Sequence, residues 1–416
     1  MLVNHTEAST AVRFDLAAIF VSLELSRSKW LLTSISPGAG EKMSKFTVEG
    51  GDVAALLARF SELQRKSRER TGQSYPIISI QEAGLDGFWI HRILEREGIE
   101  TYVVDPASIA TSRRRRRAKT DKIDGEALVR ALLAYKRGEP RVCAMVRVPT
   151  PEEEDRRRLT RERKALMIEK TRHVNRIKGL LYSQGVSGYE PMKKDRRTRL
   201  DALVTGDGRA LPPAMKAQLN RELGRLETLI DQIKEVEHAR DATLAAETVS
   251  SVPGMLLTLK GIGPEFAAVL WSEGLSRQFD NRRQVAAYAG LAPTPWQSGQ
   301  IDREQGVSKS GNARLRTTLI QVAWLWLRHQ PDSALSGWFK ARVLQNGGRQ
   351  KKTAIVALAR KLLVALCWVG RLPTASRCAK VSSLKTQTRE TVRGTDYTHW
   401  NGHVKERFPV AWCQCG

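Results

Sequence analysis

Between residues 18 and 135 the hydrophobic pattern moves between strand-like runs and helical faces, and that order narrows the possible folds more than any other feature. Residues 18–25 (AIFVSLEL) form a nearly continuous apolar run that suits a buried strand. Lys29 to Ile35 supplies a partner after a short turn, and a third strand lies near Ser44–Val48. A helix is predicted from Asp52 to Arg68. Pro76 to Ile80 then reads as a strand ending at Gln81-Glu82-Ala83-Gly84. Asp86 to Glu97 places Phe88, Ile90 and Leu94 on one side of a helix stopped by Gly98. Thr101 to Val104 is a further strand, closed by Asp105-Pro106. Asp121 to Tyr135 completes the series as a helix with Ile123, Leu128, Leu132 and Leu133 on its apolar side.

Three strands, helix, strand, helix, strand, helix is the element order of a ribonuclease-H-like domain with a mixed α/β sheet, expected here for residues 16–150. From Glu152 to Ala246 the chain turns polar, charged and helical. Leu219, Leu223, Leu226, Ile230 and Ile233 repeat at the 4-3-4-3 spacing of a coiled-coil seam. An earlier helix, Arg156 to Leu181, is richer in Arg and Lys, and Gly185 to Pro213 between them reads as a long loop. Residues 151–248 thus form an expected arm, pairing with itself or with a second protomer. A block over residues 249–372 is expected to be helical from Val252-Pro253 through Gly370. Residues 373–416 read as a polar, irregular tail.

The 416 residues carry 69 Lys+Arg against 44 Asp+Glu, a net charge of +25 that calls for a large anionic partner. Membrane is the weaker choice. No apolar run of about 18 residues is free of charge, since Arg360 and Lys361 interrupt the best stretch, and no basic amphipathic helix with an aromatic face stands out. The N-terminus lacks the charged, apolar and small-residue order of a secretion signal. The five cysteines (Cys143, Cys367, Cys378, Cys413 and Cys415) are odd in number and widely spaced, which suits a reducing cytoplasm. Nucleic acid is the expected partner.

Four carboxylates stand where the expected fold would gather metal ligands. Glu24 lies on the first strand, Glu82 ends a later one, and Asp121 and Asp124 share one helix face at i and i+3. An ionised side chain inside an apolar strand is costly unless paired or metal-bound, which singles out Glu24. Such clusters hold hard Mg²⁺ or Mn²⁺ ions, which serve phosphoryl transfer. Each acid taken alone is equally well a surface charge, or, for Asp121, a helix-start residue favoured by the dipole. Directly upstream run Arg113, Arg114, Arg115, Arg116 and Arg117, then Lys119, which suit phosphate contact beside the acids.

In the last block, Leu259-Lys260-Gly261-Ile262-Gly263-Pro264 resembles a helix-hairpin-helix turn, in which backbone amides at Gly261 and Gly263 approach phosphate with Lys260 alongside. A tight helix–helix turn explains the same residues equally well. Further on come Tyr288-Ala289-Gly290-Leu291 with Pro293, then Gln297-Ser298-Gly299, then Ser308-Lys309-Ser310-Gly311-Asn312 with Leu315-Arg316. A serine before glycine is ordinarily a turn residue.

As a set and in this order, these motifs resemble the DEDD transposases of bacterial insertion sequences, the family that includes Piv-type DNA invertases and bridge-RNA-guided recombinases. The similarity covers residues 18–370. It implies a RuvC-like N-terminal domain, a coiled-coil arm and a C-terminal transposase domain. Carried over residue by residue, it makes Glu24, Glu82, Asp121 and Asp124 the ligands of Mg²⁺ (or Mn²⁺) and Ser298 a nucleophile that joins DNA covalently. The first acid is usually Asp in this family, and Glu24 is one methylene longer. Lys309, Arg314 and Arg316 are then placed to neutralise charge on the phosphate. The resemblance further implies homodimers or homotetramers and a noncoding RNA that chooses the DNA. Two rival readings remain: a ribonuclease-H-like structure-specific endonuclease of the Holliday-junction-resolvase kind, and a catalytically inactive nucleic-acid-binding descendant.

Overall fold

The computed structural model describes residues 17–371, apart from 41, 85–86, 110–120, 140–141, 278, 280, 299–300 and 346–350, and apart from the side chains of 107, 121–123, 296–298, 301–305 and 371. Two units divide the chain, the first ending at Pro149 and the second beginning at Thr150.

The first unit is mixed α/β around one central sheet. Its apolar runs form β1 (Ile19–Glu24), β2 (Lys29–Ile35), β3 (Ser44–Glu49), β4 (Ile77–Glu82) and β5 (Glu100–Val104). The spatial order is β3-β2-β1-β4-β5. β1 pairs antiparallel with β2 (Phe20 opposite Ile35), which pairs antiparallel with β3. On its other side β1 runs parallel to β4 (Leu23 beside Gln81), and β4 runs parallel to β5. Parallel neighbours need crossover connections, and α1 (Val53–Thr71) and α2 (Trp89–Arg96) provide them. Asp52 starts α1 by accepting from the Ala55 amide at 2.8 Å, and Gly72, at φ 73°, ends it in the left-handed region.

Alternation along the strands divides the core in two. Ile19, Val21, Leu23 and Leu32 face α1 and α2 through Leu56, Phe60, Ile90 and Leu94. Phe20, Ile35, Ile78, Ile80 and Val104 face α3 (Asp121–Lys136) through Leu128, Val129 and Leu132.

Thr150 opens the second unit with a capping box, its hydroxyl taking the Glu153 amide while Glu153 reaches back, with Pro151 at the first helical position. The 32-residue α4 (Pro151–Tyr182) that follows packs on the 33-residue α6 (Pro213–Ala245). Arg163 bonds Glu237 and His173 bonds Glu222, each at 2.6 Å, so the two helices run antiparallel. The leucine seam buries Leu219, Leu223 and Leu226 against Ile177 and Leu181 of the same chain. One expectation is corrected here. The segment read as a long loop contains α5 (Arg196–Asp201) and buries Tyr189, Leu200 and Leu211, so it forms a folded cap. Gly185, at φ 74°, lets the cap close, because a Cβ there would stand 3.0 Å from the Gly206 Cα.

The remaining elements are α7 (Val252–Leu257), α8 (Pro264–Leu270), a π-helical turn (Trp271–Leu275), α9 (Arg282–Tyr288), α10 (Ala313–His329), α11 (Ala334–Gln345) and α12 (Lys351–Arg371). Leu259, Leu270, Leu291, Leu319, Trp326, Leu358 and Leu362 make their common core. Among the described residues α12 alone is long and apolar enough to cross a membrane, yet half of its apolar stretch is buried in this core. A second correction lies between α9 and α10. The block is not helical throughout: β6 (Pro293–Ser298) and β7 (Ile301–Val307) form an antiparallel hairpin. A two-stranded ribbon leaves each strand with a free side, so Pro293 and Pro295 cost it little. Its polar strands lack the apolar alternation that marks a half-buried strand, which hid it from the sequence.

Leu132 is fully buried between α3 and the sheet. Leu132→Ala is expected to cost about 2–5 kcal/mol, read as a lower denaturant midpoint at unchanged slope.

Candidate functional site

Two strand ends carry the first pair of acids. Because Leu23 stands beside Gln81 in the parallel β1–β4 ladder, Glu24 and Glu82 follow at the next register position. Both belong to the alternate set that faces α3, with Phe20 and Ile80. Glu24 is half-buried and Glu82 exposed.

Helix α3 crosses this end of the sheet at very close range. The Ser22 hydroxyl donates to the Gly125 carbonyl at 2.9 Å. A Cβ on Gly125 would stand 2.5 Å from Thr33 Oγ1 and 2.7 Å from Glu24 Oε1, so only glycine permits the approach. Glycine in a helix interior is otherwise unfavourable, and this contact is its physical reason. Asp124, half-buried, is its neighbour, and Asp121 begins the same helix one turn earlier. The side chain of Asp121 lies outside the described residues, as do Arg113, Arg114, Arg115, Arg116, Arg117 and Lys119 in full. Among the described residues no group of three or more His, Cys, Asp or Glu side chains forms a ready metal site. Glu24, Glu82 and Asp124 offer only hard carboxylate oxygens, a donor set that suits Mg²⁺ or Mn²⁺.

Ser298 closes β6 opposite Ile301, and its side chain lies outside the described residues. The base of this hairpin is well defined. The Ser308 amide donates to the Ala292 carbonyl at 2.9 Å, and the Lys309 amide to the Gly290 carbonyl at 3.2 Å. Lys309 has φ 57°, the one positive value among the described non-glycine residues. Gly290 and Gly311 also have positive φ, and a Cβ on Gly311 would stand 2.3 Å from the Tyr288 carbonyl oxygen. Residues 308–312 are therefore pressed onto the end of α9.

Asn312 caps α10, accepting from the Leu315 amide at 3.0 Å. Its amide nitrogen donates to Glu273 Oε2 at 2.9 Å and to the Tyr288 hydroxyl at 3.0 Å. That hydroxyl donates in turn to the Glu273 main-chain carbonyl at 2.9 Å. Arg161 of α4 grips the Glu273 carboxylate with two bonds, of 2.9 and 3.2 Å. Burial pushes the Glu273 carboxyl upward, but the Arg161 bond and charge, the Asn312 bond and the Arg157 charge outweigh it and hold the group below the usual glutamate range.

The basic residues expected at phosphate divide. Lys309 and Lys260 are exposed. Arg316 donates to the Lys309 carbonyl at 2.8 Å and so braces the turn. The Arg314 side chain is 13% exposed, donates to the Thr160 carbonyl and stands 3.6 Å from Glu265, so it ties α10 to α4. Gly261 has φ 93°, and a Cβ there would stand 3.3 Å from the Leu325 carbonyl oxygen of α10, as a tight turn between packed helices requires. Gly263 is the N-cap of α8. Sequence reasoning missed Glu273, although a lone acid within Ala267-Ala268-Val269-Leu270-Trp271-Ser272 and Leu275 carries the same signal that marked Glu24.

Residues 254–336 match the transposase family IS116/IS110/IS902, and residues 36–184 match the DEDD transposase group of IS110 type. The protein y4rJ of Sinorhizobium fredii (strain NBRC 101917 / NGR234), named a transposase, is 75% identical over 373 residues, 87% of this chain and 94% of its own. This chain belongs to the IS110-type insertion-sequence transposases. The transposase for insertion sequence element IS1111A of Coxiella burnetii is 30% identical over 68% of this chain and 74% of its own. A pilin gene-inverting protein of Moraxella bovis is 32% identical over 26% of this chain and 34% of its own. As a transposase, the protein is an enzyme that acts on DNA.

Gly125→Ala is expected to push α3 off the sheet, costing about 1–3 kcal/mol in unfolding experiments and abolishing strand cleavage. The depressed Glu273 carboxyl stabilises the fold fully above the ordinary glutamate pKa. That contribution is lost as pH falls through the lower folded value. Melting followed from neutral to acid pH is expected to drop less steeply in Glu273→Gln than in the wild type.

Proposed function

We propose that this transposase cleaves and exchanges DNA strands through a covalent serine–DNA intermediate, assisted by divalent metal. The observation that carries the reading is the seating of Glu24 and Glu82 on neighbouring parallel strand ends, beneath the helix that bears Asp121 and Asp124. The strand order β3-β2-β1-β4-β5, antiparallel on one side of β1 and parallel on the other, supports a ribonuclease-H-like, RuvC-like domain over residues 16–150. An arm over 151–248, a transposase domain with a helix-hairpin-helix-like turn over 249–372 and a tail over 373–416 complete the proposed organisation.

Glu24, Glu82, Asp121 and Asp124 would hold Mg²⁺, or Mn²⁺ in its place. Bound there, the ion supplies charge to a phosphate and a leaving oxygen. The Ser298 hydroxyl gives up its proton as its oxygen bonds to phosphorus, and the deoxyribose oxygen that departs takes up a proton. One phosphoester replaces another, so a second strand's hydroxyl can reverse the step and rejoin DNA. Arg113 to Arg117, Lys119, Lys260 and Lys309, with the amides of Gly261 and Gly263, would contact phosphates, and that binding would weaken steeply with salt. A homodimer or homotetramer guided by a noncoding RNA, working in the bacterial cytoplasm at the nucleoid, fits the net charge of +25.

The test uses DNA spanning the flanks of the gene together with the RNA transcribed from them. In Mg²⁺ the wild type is expected to yield a covalent protein–DNA adduct that Ser298→Ala abolishes. Asp124→Ala and Glu24→Gln should slow cleavage about a hundredfold or more, while Glu24→Asp keeps activity. Hydrolysed ends without an adduct favour the endonuclease reading. No cleavage from the wild type favours the inactive descendant.

A further inference from the structure

The serine hairpin joins the helical block at Ala292 and Ser308, and both points rest on the same support. The Asn312 amide donates to the Tyr288 carbonyl at 2.7 Å and the Lys309 amide to the Gly290 carbonyl, so the turn after β7 is laid over the last residues of α9. That layer is fastened to Glu273 by the Asn312 side chain and the Tyr288 hydroxyl. Glu273 lies in the π-helical turn, a geometry that is rare and gathers at functional sites.

The opposite side of Glu273 belongs to the arm. Arg161 takes both carboxylate oxygens, Arg157 donates to the Ser272 carbonyl at 3.0 Å, and Arg314 donates back to the Thr160 carbonyl. Three arginine ties thus join the first turns of α4 to the support of the hairpin. α4 has 32 residues, about 48 Å at 1.5 Å per residue, and residues 157–161 lie in its first third. Glu273 is 1% exposed, whereas the Arg161 side chain is 58% exposed. Removing Arg161 leaves a buried carboxylate without its forked partner, which is costly to maintain in place.

We propose that Glu273 and Arg161 are positioning residues for the Ser298 hairpin, through which the placement of the arm governs the readiness of the serine. Neither touches the reacting atoms. The arm then acts as more than a spacer: its docking determines whether the hairpin base is fixed. This rests on the serine reading above, and the readouts are chosen to separate the two.

The experiment compares wild type, Arg161→Met, Arg161→Lys and Ser298→Ala, using the gene's flanking DNA with the RNA transcribed from it. Adduct formation at saturating DNA, DNA affinity, and amide hydrogen exchange at Ser308 and Asn312 are measured. In Arg161→Met the adduct rate is expected to fall about tenfold or more, with affinity unchanged within about twofold. Exchange should rise at Ser308 and Asn312 and stay unchanged in α12. Arg161→Lys, which restores the charge without the fork, should recover part of the rate. A wild-type rate in Arg161→Met overturns the proposal, as does a loss carried by affinity alone. If the wild type forms no adduct that Ser298→Ala removes, the serine reading fails. Hydrogen exchange then still decides the positioning claim, which unchanged protection in Arg161→Met overturns.

Discussion

A carboxylate set among apolar neighbours constrains how the elements around it pack, and each unit holds one. In the first, Glu24 ends a strand whose preceding residues are buried, and α3 closes over it so tightly that only Gly125 fits. In the second, Glu273 sits almost fully buried and draws Arg161, Asn312, Arg157 and the Tyr288 hydroxyl around it. A charge removed from water gains from each well-placed donor and loses steeply if one is removed. Elements that must supply those donors are therefore held in one arrangement.

The excess of basic residues serves two ends. Part of it is internal: Arg157, Arg161 and Arg314 bind main-chain carbonyls and acids, and Arg176 and Arg225 bind the buried Glu222 of the arm. Others, such as Lys260 and Lys309, are exposed. Net charge alone predicts the partner and not the sites, because a guanidinium facing a carbonyl and one facing phosphate count equally. Arg314 illustrates the point: the charge counts toward the total, while its side chain donates to the Thr160 carbonyl within the fold.

Much of the first unit was legible. The apolar run at residues 18–25, its partners and the alternating elements after them appear close to their predicted limits, because buried strands and amphipathic helices write their period into the chain. The hairpin at Pro293–Val307 was not legible, since its polar strands are held by backbone bonds and by the turn beneath them. Likewise the cap over residues 185–211 combines glycine and basic residues with single apolar anchors such as Tyr189 and Leu200, too sparse to show a period. The candidate acids are legible as residue types at suitable spacing, and Glu273 meets the same criterion as Glu24, an acid within an apolar run.

By itself, then, the sequence determined the order of strands and helices in the first unit, the identity of the candidate acids and serine, and the need for an anionic partner. These follow from local periodicity and from charge, which are properties of the chain in order. Only the tertiary structure decided that Glu24 and Glu82 stand side by side, that Gly125 is there to admit α3, and that Arg161 reaches Glu273 from 112 residues away. Strand register, close approach and the pairing of buried charges depend on which distant surfaces meet, and no local pattern records that.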